Sequence, residues 1–363
     1  MSSVLAPVRN LWFERLTSPK RLRLYVWLSL ATQILIVVTG GLVRLTGSGL
    51  GCPTWPKCTD ESLVSTSEMG IHGVIEFGNR LLTFVLLIVA LLTFSTILRA
   101  LADRAQLLRL VYGFFGFVAL FVVGLALAVR SLDGVSISVL AAASLGGLAT
   151  AASFAMVARK KDPKGLTLPS FGLGFGIILQ AVVGGITVLT ELNSWIVGIH
   201  FLISSLLIAL ASLLVFRALP KAASEVSPSA RALSVPTIVV GAVAIVVGVL
   251  VTGAGPHAGD ALTPRNGLDL EIWQHYHSYP GYLMLGLIAL QLYLQTRHTG
   301  FSIANLATRS LVLLLGVTIL QALVGVAQAR MGVPEYLVAL HMLGAAVLSS
   351  MLTFQYLALA RSR

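Results

Sequence analysis

The sequence predicts an all-α polytopic membrane protein: two pseudo-symmetric four-helix bundles plus an inserted helix pair, about ten transmembrane helices, and both termini cytoplasmic. Three observations predict it. Of 363 residues, 56% are hydrophobic and 11% charged, with a mean hydropathy of +0.91, which leaves too little polar surface for a soluble globule of this size. Apolar runs long enough to cross a bilayer recur along the whole chain. One stretch also repeats: "ILQAVVGGITVLTELNSWIVGIHFL" (178–202) resembles "ILQALVGVAQARMGVPEYLVALHML" (319–343) without a gap, setting Gln180 over Gln321, Gly184 over Gly325 and His200 over His341.

The spans follow in order. The first, 22–46, is too long for a signal-peptide core and has no evident cleavage site, so it is expected to be retained; no lipidation signal is found. Arg9, Arg15, Lys20, Arg21 and Arg23 precede or open it. The second, 76–99, enters through "IEFGNR" and ends at Arg99, and Arg104 and Arg109 lead into the third, 108–129. The fourth, 134–158, ends on Arg159, Lys160, Lys161 and Lys164 before the fifth, 167–190. The sixth, 195–216, and the seventh, 233–254, flank Lys221 and Arg231. The eighth, 277–296, and the ninth, 304–327, flank Arg297 and Arg309; the tenth, 335–359, ends at Arg361 and Arg363. Basic residues thus gather at alternate ends, as the positive-inside rule requires of ten spans with cytoplasmic termini. That distribution explains the net charge of +11 without nucleic acid as a partner; the lipid bilayer is the partner expected.

Self-similarity sets the domains. "LVRLTGSG" (42–49) matches "LVTGAGPH" by its Thr-Gly-x-Gly core, and "IEFGNRLLTFVLLIVAL" matches "WQHYHSYPGYLMLGLIAL" with Asn79 over His277. Asn79 to His200 is 121 residues but His277 to His341 is 64, a surplus the length of two spans. Spans three and four, about 105–165 with their loops, are therefore an insertion; they carry no ionisable residue inside and no chemistry is assigned to them. The expected divisions are a cytoplasmic segment 1–21, an N-terminal half 22–220, a cytoplasmic linker 221–232 and a C-terminal half 233–363, the halves being like-oriented because each has an even number of spans.

Four of the seven histidines, His72, His200, His277 and His341, fall at or just before the outer ends of even-numbered spans. Such a residue is often merely interfacial, bonded to water or headgroups. Two facing histidines on neighbouring helices of one bundle also hold a haem iron from both sides, with Gly281, Gly325 and Gly344 leaving room. His277 and His341 are expected to do so. His200 repeats His341, but Asn79, a poor iron ligand, stands in the place of His277, so this half is expected to be open on one side, as a substrate site requires. His72, Glu76 and Asn79, at i, i+4 and i+7, would form one stripe facing that cavity, with His72 roughly 10 Å along the axis from Asn79. Glu76 is placed for proton exchange or for steadying a cation, or else pairs with Arg80 at the surface. Arg44, Arg80 and Arg330 match haem propionates or snorkel to lipid phosphate. His275 and His257 are read as rim residues. Cys52 and Cys58, alone in an outer Pro-rich loop, are either a disulfide or two packed thiols; zinc would need two ligands from distant loops.

"GGLVRLTGSGLGCPTWPKC" followed by "IEFGNR", then "GGITVL", "VGIHFL", "GAGPHAGD" and "LVALHMLGAA", resembles the haem A synthases, an actinobacterial type of that cytochrome oxidase assembly family, over nearly the whole chain except about 105–165. The resemblance implies oxidation of a methyl group of haem O to a formyl group through an alcohol. It implies haem b as cofactor between His277 and His341, the substrate haem in the N-terminal half near His200, Glu76 as the catalytic glutamate, and Cys52 and Cys58 as the cysteine pair. A haem O synthase and an electron acceptor, quinone or other, are the implied partners; a homo-oligomer is compatible with it. The implied location is the plasma membrane, multi-pass, with haem sites near the outer face. Two features depart from the family: Asn79 where a second histidine belongs, and ten spans rather than eight. A non-catalytic membrane cytochrome b relaying electrons is the alternative, needing His277 and His341 but not Glu76. A repeat-built transporter would place its polar residues near the midplane.

Overall fold

The computed structural model describes residues 11–101, 104–130, 137–220 and 224–360. Among these there is no strand, and ten long helices account for most of them: α1 Leu22–Leu45, α2 Gly70–Arg99, α3 Arg104–Arg130, α4 Ile137–Lys161, α5 Thr167–Leu189, α6 Ser194–Ala218, α7 Ser234–Ala254, α8 Leu270–Thr299, α9 Leu306–Arg330 and α10 Glu335–Ala360. Arg9, Lys221, Arg361 and Arg363 lie outside the described residues.

Nine of the ten are apolar enough to cross a membrane by length and composition; α8 is not. The expected eighth span thus differs from the other nine, because "LEIWQHYHSYP" fills its first three turns with polar and aromatic side chains. Two helices also start earlier than apolar runs suggest. Asp269 accepts from Ile272 N and caps α8, so His277 lies two turns inside a helix rather than at its start. Likewise α2 begins at Gly70 and carries His72, Glu76 and Asn79 on one continuous helix. Lipid exposure selects apolar residues, whereas a capped helix end in polar surroundings carries no such signal.

The described residues form two compact units. One comprises Leu92–Phe171 with the segment up to Leu22. Here α3 packs on α4 around Leu98, Leu107, Val111, Phe154 and Ala158, and Phe154 and Phe171 approach to 4.7 Å between ring centres. Asp162 accepts from Thr167 N and Oγ1, joining α4 to α5.

The second unit, Arg23–Leu91 with Gly172 onward, holds the other helices. α9 packs on α10, α8 on both α7 and α9, α7 on α10, and α6 on both α7 and α10. Ser212 of α6 bonds Ser350 of α10 at 2.8 Å, Gly198 admits Val249 of α7, and Gly41 of α1 admits Met342 of α10. The sequence repeat recurs as repeated bonds. Thr190 N and Leu192 N donate to Ile186 O and Thr187 O; 141 residues on, Met331 N and Val333 N donate to Ala327 O and Gln328 O. Leu192 and Val333 share a positive φ, 59° and 61°, a conformation unusual for a branched side chain. The Thr46 hydroxyl bonds Leu42 O as the Thr252 hydroxyl bonds Gly248 O.

The segment before α7 is not a plain linker. Ser227 caps a short helix, Pro228–Ala232, with Ala230 fully buried. Gln291 of α8 donates to Ala230 O (2.9 Å) and accepts from Thr237 and Gln355, while Gln295 accepts from Ser227 N and donates to Glu225 O. Buried amides with every bond filled can tie a loop to a bundle where lipid offers no water to compete. Replacing Gln291 with Leu takes the partner from Ala230 O and Gln355 Nε2, while Thr237 keeps Leu233 O; each stranded buried group costs about 1–3 kcal/mol, and thermal unfolding in detergent should show a clearly lowered midpoint.

Candidate functional site

The sequence-derived residues gather at the ends of helices that carry the histidines. His277 of α8 and His341 of α10 are brought together with ring centres 6.1 Å apart and planes nearly perpendicular, at 83°. Two imidazoles on opposite sides of one metal, at metal–nitrogen bonds of about 2.0 Å, put their ring centres roughly 6 Å apart. The pair therefore fits a single iron held from both sides. Its neighbours are glycines for a steric reason: a Cβ on Gly248 would lie 2.8 Å from His277 Cε1, and one on Gly325 3.4 Å from His341 Cε1. Pro280, inside α8, has no N–H for the carbonyl of Tyr276, beside His277.

The other imidazole site shares this construction. A Cβ on Gly184 would lie 3.3 Å from His200 Cε1, as one on Gly325 would lie 3.4 Å from His341 Cε1. Gln180 donates to His200 O at 2.9 Å and Gln321 to His341 O at 3.0 Å. A side-chain amide thus ties the histidine-bearing turn to the preceding helix in both places. Nδ1 of His200, of His277 and of His341 is buried without a hydrogen bond to the protein, which leaves all three imidazoles able to serve a ligand. Sequence comparison aligned both glutamines but assigned them no task. Of the glycines expected to leave room, Gly281 does border open space, but Gly344 is filled by Gln321.

His72, Glu76 and Asn79 of α2 each take a partner from the chain itself. His72 Nδ1 lies 2.9 Å from Ser48 Oγ, Glu76 Oε2 accepts from Cys52 N, and Asn79 Oδ1 accepts from Thr39 at 2.8 Å. All three face the end of α1 and the loop after it. His72 is exposed while Glu76 is 5% exposed. The Glu76–Arg80 ion pair (2.6 Å) accordingly lies under the loop and not on an open surface.

Cys52 and Cys58 form a disulfide. Arg80 donates to Cys52 O (2.9 Å) and Lys57 O (3.0 Å) as well as to Glu76, so both ends of the disulfide loop hang on one guanidinium. Trp55, which sequence reasoning passed over, lies against Gly185 of α5, next to the Gly184 that faces His200. The loop therefore spans from Glu76 to the neighbourhood of His200.

Arg44 is tied to the loop between α7 and α8, donating to His257 O and Thr252 O. His257 in turn bonds Val333 O at 2.8 Å and approaches Glu335. His275 bonds its own helix at Glu271 O and is exposed. Arg330, exposed at the end of α9, heads an apolar groove lined by Leu285, Ile319, Leu323 and Val326. Among the described residues no three His, Cys, Asp or Glu side chains cluster as a metal site.

The sequence profile of a family described as cytochrome oxidase assembly protein matches residues 23–139 and 139–353. Over 68 residues the chain is 32% identical to the heme A synthase of Geobacillus thermodenitrificans; this stretch is 19% of this chain and 20% of that protein, so the match spans about a fifth of the relative's length.

Replacing Arg80 with Gln removes the cation from a nearly buried pair and loosens both ends of the disulfide loop. Breaking a buried pair in this way costs roughly 3–5 kcal/mol. Thermal unfolding should register it, and limited proteolysis should cut within residues 49–62 faster than in the unmodified protein.

Proposed function

The chain belongs to the cytochrome oxidase assembly protein family, and we propose that within it the chain works as a haem A synthase, oxidising one methyl group of haem O to a formyl group through an alcohol. The observation that carries this reading is the difference between two otherwise matched imidazole sites. His277 and His341 face each other at 6.1 Å. His200 keeps the same glutamine and glycine, but Asn79 occupies the matching place on α2 and is turned to Thr39. A closed pair suits a resident cofactor. A site with a single imidazole suits a molecule that must enter and leave.

His277 and His341 would hold haem b, which when bound takes up and passes on single electrons. His200 would orient the substrate haem from α6, with Asn79 and His72 along α2 on the facing side. Glu76 would receive protons released as the methyl group is oxidised. It is buried one helical turn from Asn79, and Cys52 N and Arg80 hold its two carboxylate oxygens in place. The Cys52–Cys58 loop would exclude water from this carboxylate. Arg330, with no protein partner among the described residues, is free for a propionate.

The division of labour follows the repeat: α1, α2, α5 and α6 for substrate, α7–α10 for cofactor, and α3 with α4 outside the chemistry. The remaining partners are a haem O synthase that supplies substrate and an acceptor, of quinone or similar class, that removes electrons. The site would lie near the outer face of the plasma membrane, and a homo-oligomer is compatible with this arrangement.

Expression in a host that makes haem O but no haem A, followed by extraction and mass detection of membrane haems, should yield haem A or its alcohol precursor; folded red protein with only haem B and haem O would sink the proposal. In the same host Glu76→Gln should keep haem b and lose product. Normal product formation would reduce Glu76 to a structural anchor. Exchanging His341 for Met should change the haem b spectrum and potential, and an unchanged spectrum would remove His341 as a ligand.

A further inference from the structure

Arg44 and Arg265 come from opposite halves of the repeat and meet on one loop. Arg44, in the last turn of α1, donates from Nη2 to Thr252 O at 2.7 Å and from Nε to His257 O. Arg265 donates from Nη1 to Thr263 O at 2.9 Å and from Nη2 to Pro256 O. Pro256 and His257 are consecutive, so two guanidiniums are anchored on adjacent carbonyls. Their positive charges are close enough to repel.

Among the described residues no carboxylate is paired with either arginine. Glu335 is turned to His257 (3.9 Å), Asp260 caps Leu262 N (2.9 Å) and Asp269 caps Ile272 N (2.9 Å). Glu271 lines the same cleft as Arg265 but pairs with neither arginine. Two cations fixed side by side by neutral acceptors repel each other, and a shared anion would turn that cost into attraction. Each guanidinium has five N–H donors, so both keep several for such an anion.

The place is suited to a ligand. Arg265 lines a cleft of about 580 Å³ where α7 ends, α8 begins and the α9–α10 turn passes, bordered by Gly255, Gln274, Ala329 and Val333. Gln274 is three residues before His277 on α8, about 4.5 Å along the axis. His341 is six residues into α10, about 9 Å from its start. The cleft is thus the mouth of the bundle that holds the imidazole pair.

We infer that Arg44 and Arg265 form a two-guanidinium seat for the propionate carboxylates of the haem held by His277 and His341, a seat to which both halves contribute. This rests on the assignment of a haem to that pair. It also gives Arg44 a reason to cross from α1 to a loop of the other half, a crossing braced by Gly49 N donating to Gly259 O at 2.9 Å.

The test titrates the full-length protein, prepared without haem in detergent, with haem b and with its dimethyl ester, which lacks the carboxylates; Soret absorbance reports binding. Wild type should bind haem b at least about tenfold more tightly than the ester. Arg265→Gln and Arg44→Gln should each weaken haem b by about that factor and leave the ester unchanged, while Arg265→Lys should keep part of the preference. Equal affinities in wild type and Arg265→Gln, or an equal loss for both haems, overturns the seat. So does a loss of co-purifying phospholipid phosphorus in Arg265→Gln with no change in haem preference, which would make the anion a lipid phosphate. A monodisperse wild-type chain that gives neither haem a low-spin spectrum removes the haem assignment itself, and this inference with it.

Discussion

The glutamine-to-carbonyl bond that ties each histidine-bearing turn to the helix before it is the interaction on which the histidine-bearing end of this protein depends. In a bundle solvated by lipid, a polar side chain that fails to find a protein partner cannot fall back on water. Gln180 and Gln321 meet that demand by reaching across to His200 O and His341 O. The glycines one turn on then let the imidazoles lie against the helix backbone. Position and orientation of the rings are set by ordinary packing before any ligand is considered. Preorganisation of this kind holds a site to the sub-ångström tolerance its chemistry needs.

A second layer of polar contacts closes the same end of the molecule. Arg80 gathers Glu76 and the two ends of the disulfide loop, and Arg44 gathers the loop between α7 and α8. Both guanidiniums use backbone carbonyls, which are strong acceptors and add no negative charge. Loops that would otherwise be free over the helix ends are fixed by one planar fork each. The carboxylate of Glu76 is thereby held where water is scarce, and its charge is felt more strongly there than it would be at an exposed rim.

α8 shows how function and membrane solvation compete. Its first turns are rich in polar and aromatic residues, it carries Pro280, and among the described residues it is the one long helix that falls short of a span by composition. Its far end is anchored by Gln291 and Gln295, both fully buried. A helix with polar anchors at its buried end and an imidazole two turns in draws its stability from neighbouring helices more than from lipid. The pair α3 and α4 packs chiefly by aliphatic and aromatic contacts, with the buried Asp162–Thr167 bonds at its end.

The sequence by itself determined the all-helical class, the membrane setting and the repeat that aligns His200 with His341 and Gln180 with Gln321. Hydropathy and self-similarity are local properties of the chain, and lipid enforces them residue by residue. It also brought forward Glu76, His277 and the cysteine pair. What it left undecided is which partner each polar residue takes: Glu76 lies under a loop, Gly344 makes room for Gln321, Trp55 lies on Gly185, and Arg44 joins Arg265 on one loop. Those choices join residues that lie from more than 20 to more than 200 positions apart. Only the tertiary structure decides them, because a hydrogen bond depends on distance and direction in space, and neither is encoded in spacing along the chain.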